Sequence, residues 1–225
     1  MPVTSLLPDR FPSTYVAGPN ATLLPHLKSG GLAIFLDPAT DQALMFCAAR
    51  NVSASAINDM ATHARGLVSL VLSAEAIDRL GIPMQPVRHR NIGWGQAVSI
   101  EARDGITTGI SAAERAHTIR TATAPNAGPD DIVSPGHIFP IAIGADDDTA
   151  RSSNNVLSHL GSVLQLVRIA GGGGAVISQI LGAGGEVATV EEAMALAART
   201  SLPTIDEIGM RKCTKLHCVT PARDI

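Results

Sequence analysis

The chain has 225 residues, 45% of them hydrophobic but only 3% aromatic, so its core must be assembled mainly from Ala, Val, Ile and Leu. A formal net charge of −3 supplies no electrostatic footprint for nucleic acid. No run of about 18 apolar residues is present, which argues against a membrane span. The N-terminus lacks a basic start followed by an apolar run, so no secretory leader is expected. Cys47, Cys213 and Cys218 are odd in number and unevenly spaced. They do not form a disulfide framework, and a reducing cytoplasm is the expected location. "CTKLHC" (213–218) places His217 between two cysteines, but a zinc site needs a second ligand cluster and the sequence offers none.

Residues 1–24 read as an N-terminal arm rich in Pro and small residues, 25–213 as a single domain, and 214–225 as a tail. "GLAIFLD" (31–37) and "ALMFCAA" (43–49) read as buried strands joined by a short turn at Asp37-Pro38. "SASAINDMATHAR" (53–65) opens with an N-cap and carries Ile57, Met60 and Ala64 at helical spacing. "LVSLVLS" (67–73) reads as a strand, and Ser73 caps a short helix that Gly81 and Pro83 end. "GQAVSIEAR" (95–103) alternates imperfectly, as an edge strand does. "NNVLSHLGSVLQLVRIAG" (154–171) predicts an amphipathic helix, and "AVISQIL" (175–181) a strand. Thr189 with Glu192, and Thr204 with Glu207, have capping-box spacing, so a helix is expected after each. Strands interleaved with helices predict a mixed layer domain.

"DGITTGISAAERAHTIR" (104–120) holds the most chemistry. Ser111 and Glu114 predict a helix starting at Ala112. Asp104-Gly105 and Gly109 bound a tight turn around Thr107 and Thr108. Helix N-terminal amides favour an anion by about 0.3–1 kcal/mol at exposed sites. Adjacent hydroxyls can donate to the same anion, and Arg115 and Arg120 can add charge. Spacing alone leaves two readings open, a phosphate or polyol site and an ordinary capped helix after a turn.

This stretch, with "SPGHIFPI" (134–141), resembles the 3,4-dihydroxy-2-butanone-4-phosphate synthase family of riboflavin biosynthesis. Weaker similarity runs from about residue 25 to residue 205. The resemblance implies an α+β fold of three layers around a mixed sheet, a homodimer, and active sites at the dimer interface. It implies a lyase that converts ribulose 5-phosphate to 3,4-dihydroxy-2-butanone 4-phosphate and formate by enolisation, dehydration and a skeletal shift. A divalent metal, usually magnesium, assists. By that resemblance His137 corresponds to the essential histidine. Asp104, Thr107, Thr108, Ser111, Glu114 and Arg115 help to build the substrate-binding wall, and His159 falls where the family has its metal-binding histidine. With one residue deleted among the glycines, the catalytic Glu corresponds to Gln179. The family's cysteine on the second strand aligns with Ser69.

The departures run in one chemical direction. The family's acidic loop, Arg-Glu-x-Glu-Gly-Asp, supplies a metal carboxylate and further carboxylates for the sugar. Here the stretch is "DPATDQALMF" (37–46), in which only Asp37 and Asp41 are acidic. Magnesium prefers hard oxygen ligands, so the sequence predicts weak or absent magnesium binding. Three functional readings follow. The first is a divergent enzyme acting on a phosphorylated sugar with His137 as acid–base. The second is a catalytically silent homologue that binds a small ligand or a partner subunit. The third is a retained synthase activity with substitute metal ligands from Asp146, Asp147 and Asp148. Separately, the family's phosphate-binding Arg is replaced near Val156, and Arg151 is the candidate to stand in for it.

Overall fold

The computed structural model describes residues 22–86, 94–144 and 156–218, with main chain only for Trp94 and residues 215–218. Asp146, Asp147, Asp148 and Arg151 lie outside the described residues.

Helix α1 (Leu23–Lys28) leads into β1 (Ala33–Asp37) and β2 (Gln42–Ala48), an antiparallel pair joined by the expected turn. Every residue of β1 is buried. That explains an unbroken apolar run in place of alternation: both faces of the strand are covered. Helix α2 (Ala54–Asp59), capped by Ser53, runs on as one π-type turn (Met60–Ala64) that Arg65 ends in the left-handed conformation. Strand β3 (Ser69–Ser73) and helix α3 (Ala74–Arg79) follow, with Ser73 accepting from the Ala76 amide.

The segment expected as one edge strand is two short ones, β4 (Trp94–Gln96) and β5 (Ile100–Ala102), both antiparallel to β6 (Ile132–Ile143). Between β5 and β6 lie α4 (Ala112–Ala122) and its loop. Helix α5 (Leu160–Ile169) continues a 3-10 turn at Val156–His159, and β7 (Ala175–Gln179) and α6 (Val190–Thr200) follow. Thr189 and Glu192 form the expected capping box of α6. Thr204 and Glu207 do not. Thr204 lies in β8 (Thr204–Asp206), which pairs parallel to β1, and the Asp206 carboxylate accepts from the Gly209 amide to cap α7 (Glu207–Cys218). Helix α7 also extends to Cys218, into the stretch read as tail, and α1 begins inside the stretch read as arm.

The sheet order is β4-β6-β3-β7-β2-β1-β8, with β5 beside β6. One face is covered by α2, α3, α4 and α6, the other by α1, α5 and α7. These are the three layers expected. The only fully buried aromatic side chains among the described residues, Phe35 and Phe46, lie on the α5 face. On α5, Leu160, Val163, Leu164 and Val167 recur at helical spacing and bury against that face. Burial pushes the Cys47 thiol up to about 12, so this cysteine is inert packing.

Candidate active site

Strand register gathers several polar residues at one end of the sheet. Asp37 ends β1 opposite Gln42, which begins β2. Gln179 ends β7 and pairs with Leu44, two residues further along β2. Ser69 begins β3 beside Phe139 of β6, two residues from His137. Alternation along each strand puts Asp37, Gln42, Gln179 and Ser69 on the face covered by α5.

Asp37 and His159 meet here. His159, at the end of the 3-10 turn before α5, places Nε2 3.4 Å from Asp37 Oδ2 and its ring 5.0 Å from that of Phe35. Asp37 is only 4% exposed. Its two oxygens also accept from the Ala39 amide at 3.1 Å and the Thr40 hydroxyl at 2.5 Å. Next to this pair the Gln179 amide donates to Gln42 Oε1 at 3.2 Å, and the Val156 amide donates to the same oxygen at 3.2 Å. Gln179, which the resemblance aligns with the family's catalytic Glu, thus faces a second amide.

These donors do not suit a hard divalent cation. Magnesium takes oxygen ligands in near-octahedral array. Among the described residues the one carboxylate paired with His159, that of Asp37, is buried and already holds an amide, a hydroxyl and an imidazole. Among the described residues no three His, Cys, Asp or Glu side chains converge so as to hold a metal ion.

The second half of the site is the loop before α4. Ser111 caps the helix by accepting from the Glu114 amide at 3.2 Å, as its spacing predicts. The Glu114 carboxylate turns back: Oε1 accepts from the Thr107 amide (2.5 Å) and hydroxyl (2.6 Å), and Oε2 from the Ser111 hydroxyl (2.9 Å). These donors hold its pKa down to about 2, the Thr107 hydroxyl contributing most. An internal anion thus fills part of the cradle that the sequence suggests for a ligand. Thr108 stays exposed. Asp104 contributes its carbonyl, which accepts from His117 Nε2 at 2.9 Å. Arg120 does not reach the site, because its Nη1 donates to the Val52 carbonyl at 2.8 Å. Arg115 is half-buried, and its shielded Nε has no hydrogen-bond partner among the described residues. Burial lowers its pKa, yet a guanidinium keeps its charge at neutral pH, so an anion could satisfy that donor.

His137 lies in β6 and is 44% exposed, with Nδ1 paired to Glu101 Oε1 of β5. Sequence reasoning missed Glu101 and Gln42. A charged residue between the buried Ile100 and Ala102 was the available signal for Glu101. For Gln42 there was none.

The model of the 3,4-dihydroxy-2-butanone 4-phosphate synthase family matches residues 21–209. A synthase of that name from Neisseria meningitidis serogroup B is 46% identical over 126 residues, covering 55% of this chain and 35% of that protein. One from Cupriavidus pinatubonensis is 33% identical over 201 residues and covers 88% of each chain. A solved synthase in complex with two magnesium ions superposes with a TM-score of 0.69 at 28% identity, covering 84% of this chain and 92% of that one. The chain spans less than half the length of the Neisseria meningitidis and Pseudomonas aeruginosa synthases that it matches. No described helix is long and apolar enough to cross a membrane. Matched along most of its length and sharing the three-layer architecture, the chain belongs to the 3,4-dihydroxy-2-butanone 4-phosphate synthase family.

Proposed function

We propose that this chain is a divergent lyase of the synthase type, acting on ribulose 5-phosphate or a related phosphorylated sugar by enolisation. The observation that carries the reading is the half-exposed His137, held by a carboxylate at the polar edge of a sheet that belongs to this family. Its Nδ1 faces Glu101, so Nε2 is the nitrogen free to take a proton from the carbon beside a sugar carbonyl. Arg115 supports a phosphate or other anion nearby, through its unpartnered Nε.

Magnesium, held by a related synthase, would supply charge neutralisation at the enediolate oxygens. The residues beside His159 do not fit it, so no step is assigned to a metal in this chain. The relevant assay is formate release from ribulose 5-phosphate. Slow, His137-dependent release is expected. No release from any sugar phosphate would contradict the reading.

A second reading, a silent homologue that binds a small ligand or a partner subunit, has one specific observation behind it. The Gln179–Gln42 pair cannot move a proton as a carboxylate does. Ligand-induced thermal stabilisation without turnover would favour it.

A homodimer fits either reading. Leu67, Ile110 and Val133 are exposed apolar residues close in sequence or register to the site residues. Sedimentation velocity should give a dimer, and a monomer at micromolar concentration would contradict this.

A further inference from the structure

We propose that Glu101 is the positioning residue of His137: it fixes the ring's tautomer and aims Nε2 at the reacting carbon. The catalytic part of this inference rests on the function proposed above. The geometric part does not.

The β5–β6 register shifts between Ile100 and Glu101, so that Ile100 faces Ile138 while Glu101 faces Val133. Residues Ser134 to His137 bulge out between those two contacts. Bulges commonly re-aim a side chain beside a site. Here the bulge brings the imidazole against the Glu101 carboxylate. The acid is the sheltered member, 15% exposed against 44% for the ring. It is therefore the fixed anchor, and the imidazole is the edge that meets solvent or substrate.

Two glycines make room for this carboxylate. A Cβ on Gly109, whose φ is +76°, would stand 1.5 Å from Glu101 Oε1. One on Gly136 would stand 2.5 Å from Glu101 Cγ and 2.2 Å from the Ile100 carbonyl. The threonine loop and the Pro-Gly-His bulge, the two motifs that stand out in the sequence, thus close on a single side chain. The charged groups on the surrounding elements are turned elsewhere. Arg103 pairs with Asp130 at 3.7 Å, Glu114 is held by Thr107 and Ser111, and His117 donates to the Asp104 carbonyl. Among the described residues, His137 alone makes a polar contact with the Glu101 carboxylate.

An ionised carboxylate only accepts hydrogen bonds, so the proton of the neutral ring resides on Nδ1 and the lone pair on Nε2. A free imidazole slightly prefers the opposite tautomer. A buried carboxylate that sets a catalytic histidine this way typically matters by orders of magnitude in rate.

The test is ring 15N correlation NMR with steady-state kinetics on the wild type and on E101M, which removes the acceptor but keeps an unbranched side chain. Wild-type His137 should show the Nδ1–H pattern, and E101M the Nε2–H pattern. In E101M, kcat on the turned-over sugar phosphate should fall on the order of 100-fold, with KM within about threefold. A wild-type ring protonated on Nε2 would overturn the proposal, and that result needs no variant to fold and no turnover. An unchanged ring pattern in E101M would overturn it equally. If the wild type has no activity on any sugar phosphate, the proposed function fails while the NMR comparison still decides the role of Glu101.

Discussion

Replacing His137 with Asn is expected to lower kcat/KM on the turned-over sugar phosphate by about 10²- to 10⁴-fold, which is about 3–5 kcal/mol of transition-state stabilisation. Asn keeps a donor for Glu101 and fills much of the same space, but it cannot accept a proton in the neutral pH range. The side chain is nearly half exposed and packs in neither core cluster, so the fold should not suffer. A melting temperature within a few degrees of the wild type, together with lost formate release, would place His137 in the chemistry. Unchanged kinetics would remove it from the mechanism.

Replacing Asp37 with Ala should be the most destabilising change at the polar sheet edge. This carboxylate joins four places in the chain: the end of β1, the Ala39 amide, the Thr40 hydroxyl and the His159 ring. Removing it leaves the Thr40 hydroxyl and the shielded His159 imidazole without their acceptor, while the exposed Ala39 amide can turn to water. Leaving one such group unsatisfied costs about 1–3 kcal/mol, and water entering the small gap offsets part of the sum. We expect a loss of about 2–4 kcal/mol, or about 5–15 °C in melting temperature for a domain of this size. Asp37→Asn keeps one acceptor and should lose less. Chemical denaturation of both variants checks this, and an Asp37→Ala protein as stable as the wild type would mean that the Asp37–His159 contact carries no weight.

What the sequence made legible is what local chemistry decides. The caps at Ser53, Ser73, Ser111 and Thr189 involve partners three residues away, and all four form. The β1–β2 hairpin is equally local. Thr204 and Glu207 have the same spacing, but Thr204 is claimed by pairing with Ile34, a contact set by the rest of the sheet. Asp206, an equally good cap two residues later, then starts α7. The candidate site shows the same division. Thr107, Ser111 and Glu114 lie within eight residues of one another, so spacing alone brings them together. The Asp37–His159, Gln42–Gln179 and Glu101–His137 pairs each join segments distant in the chain, and no periodicity in one segment encodes the partner in another. Arg120 looked like a site cation from its helix position, and only the packing of α4 against the turn after β2 gives it to Val52.

The chain keeps the family scaffold, and we propose that the Asp37–His159 pair and the Gln42 and Gln179 amides stand where a hard cation would need carboxylates. Calorimetric titration with magnesium, followed in parallel by the ring resonances of His159, tests it most directly. The expected result is no saturable heat and no movement of those resonances at millimolar magnesium. Stoichiometric binding that shifts the His159 ring would contradict the account.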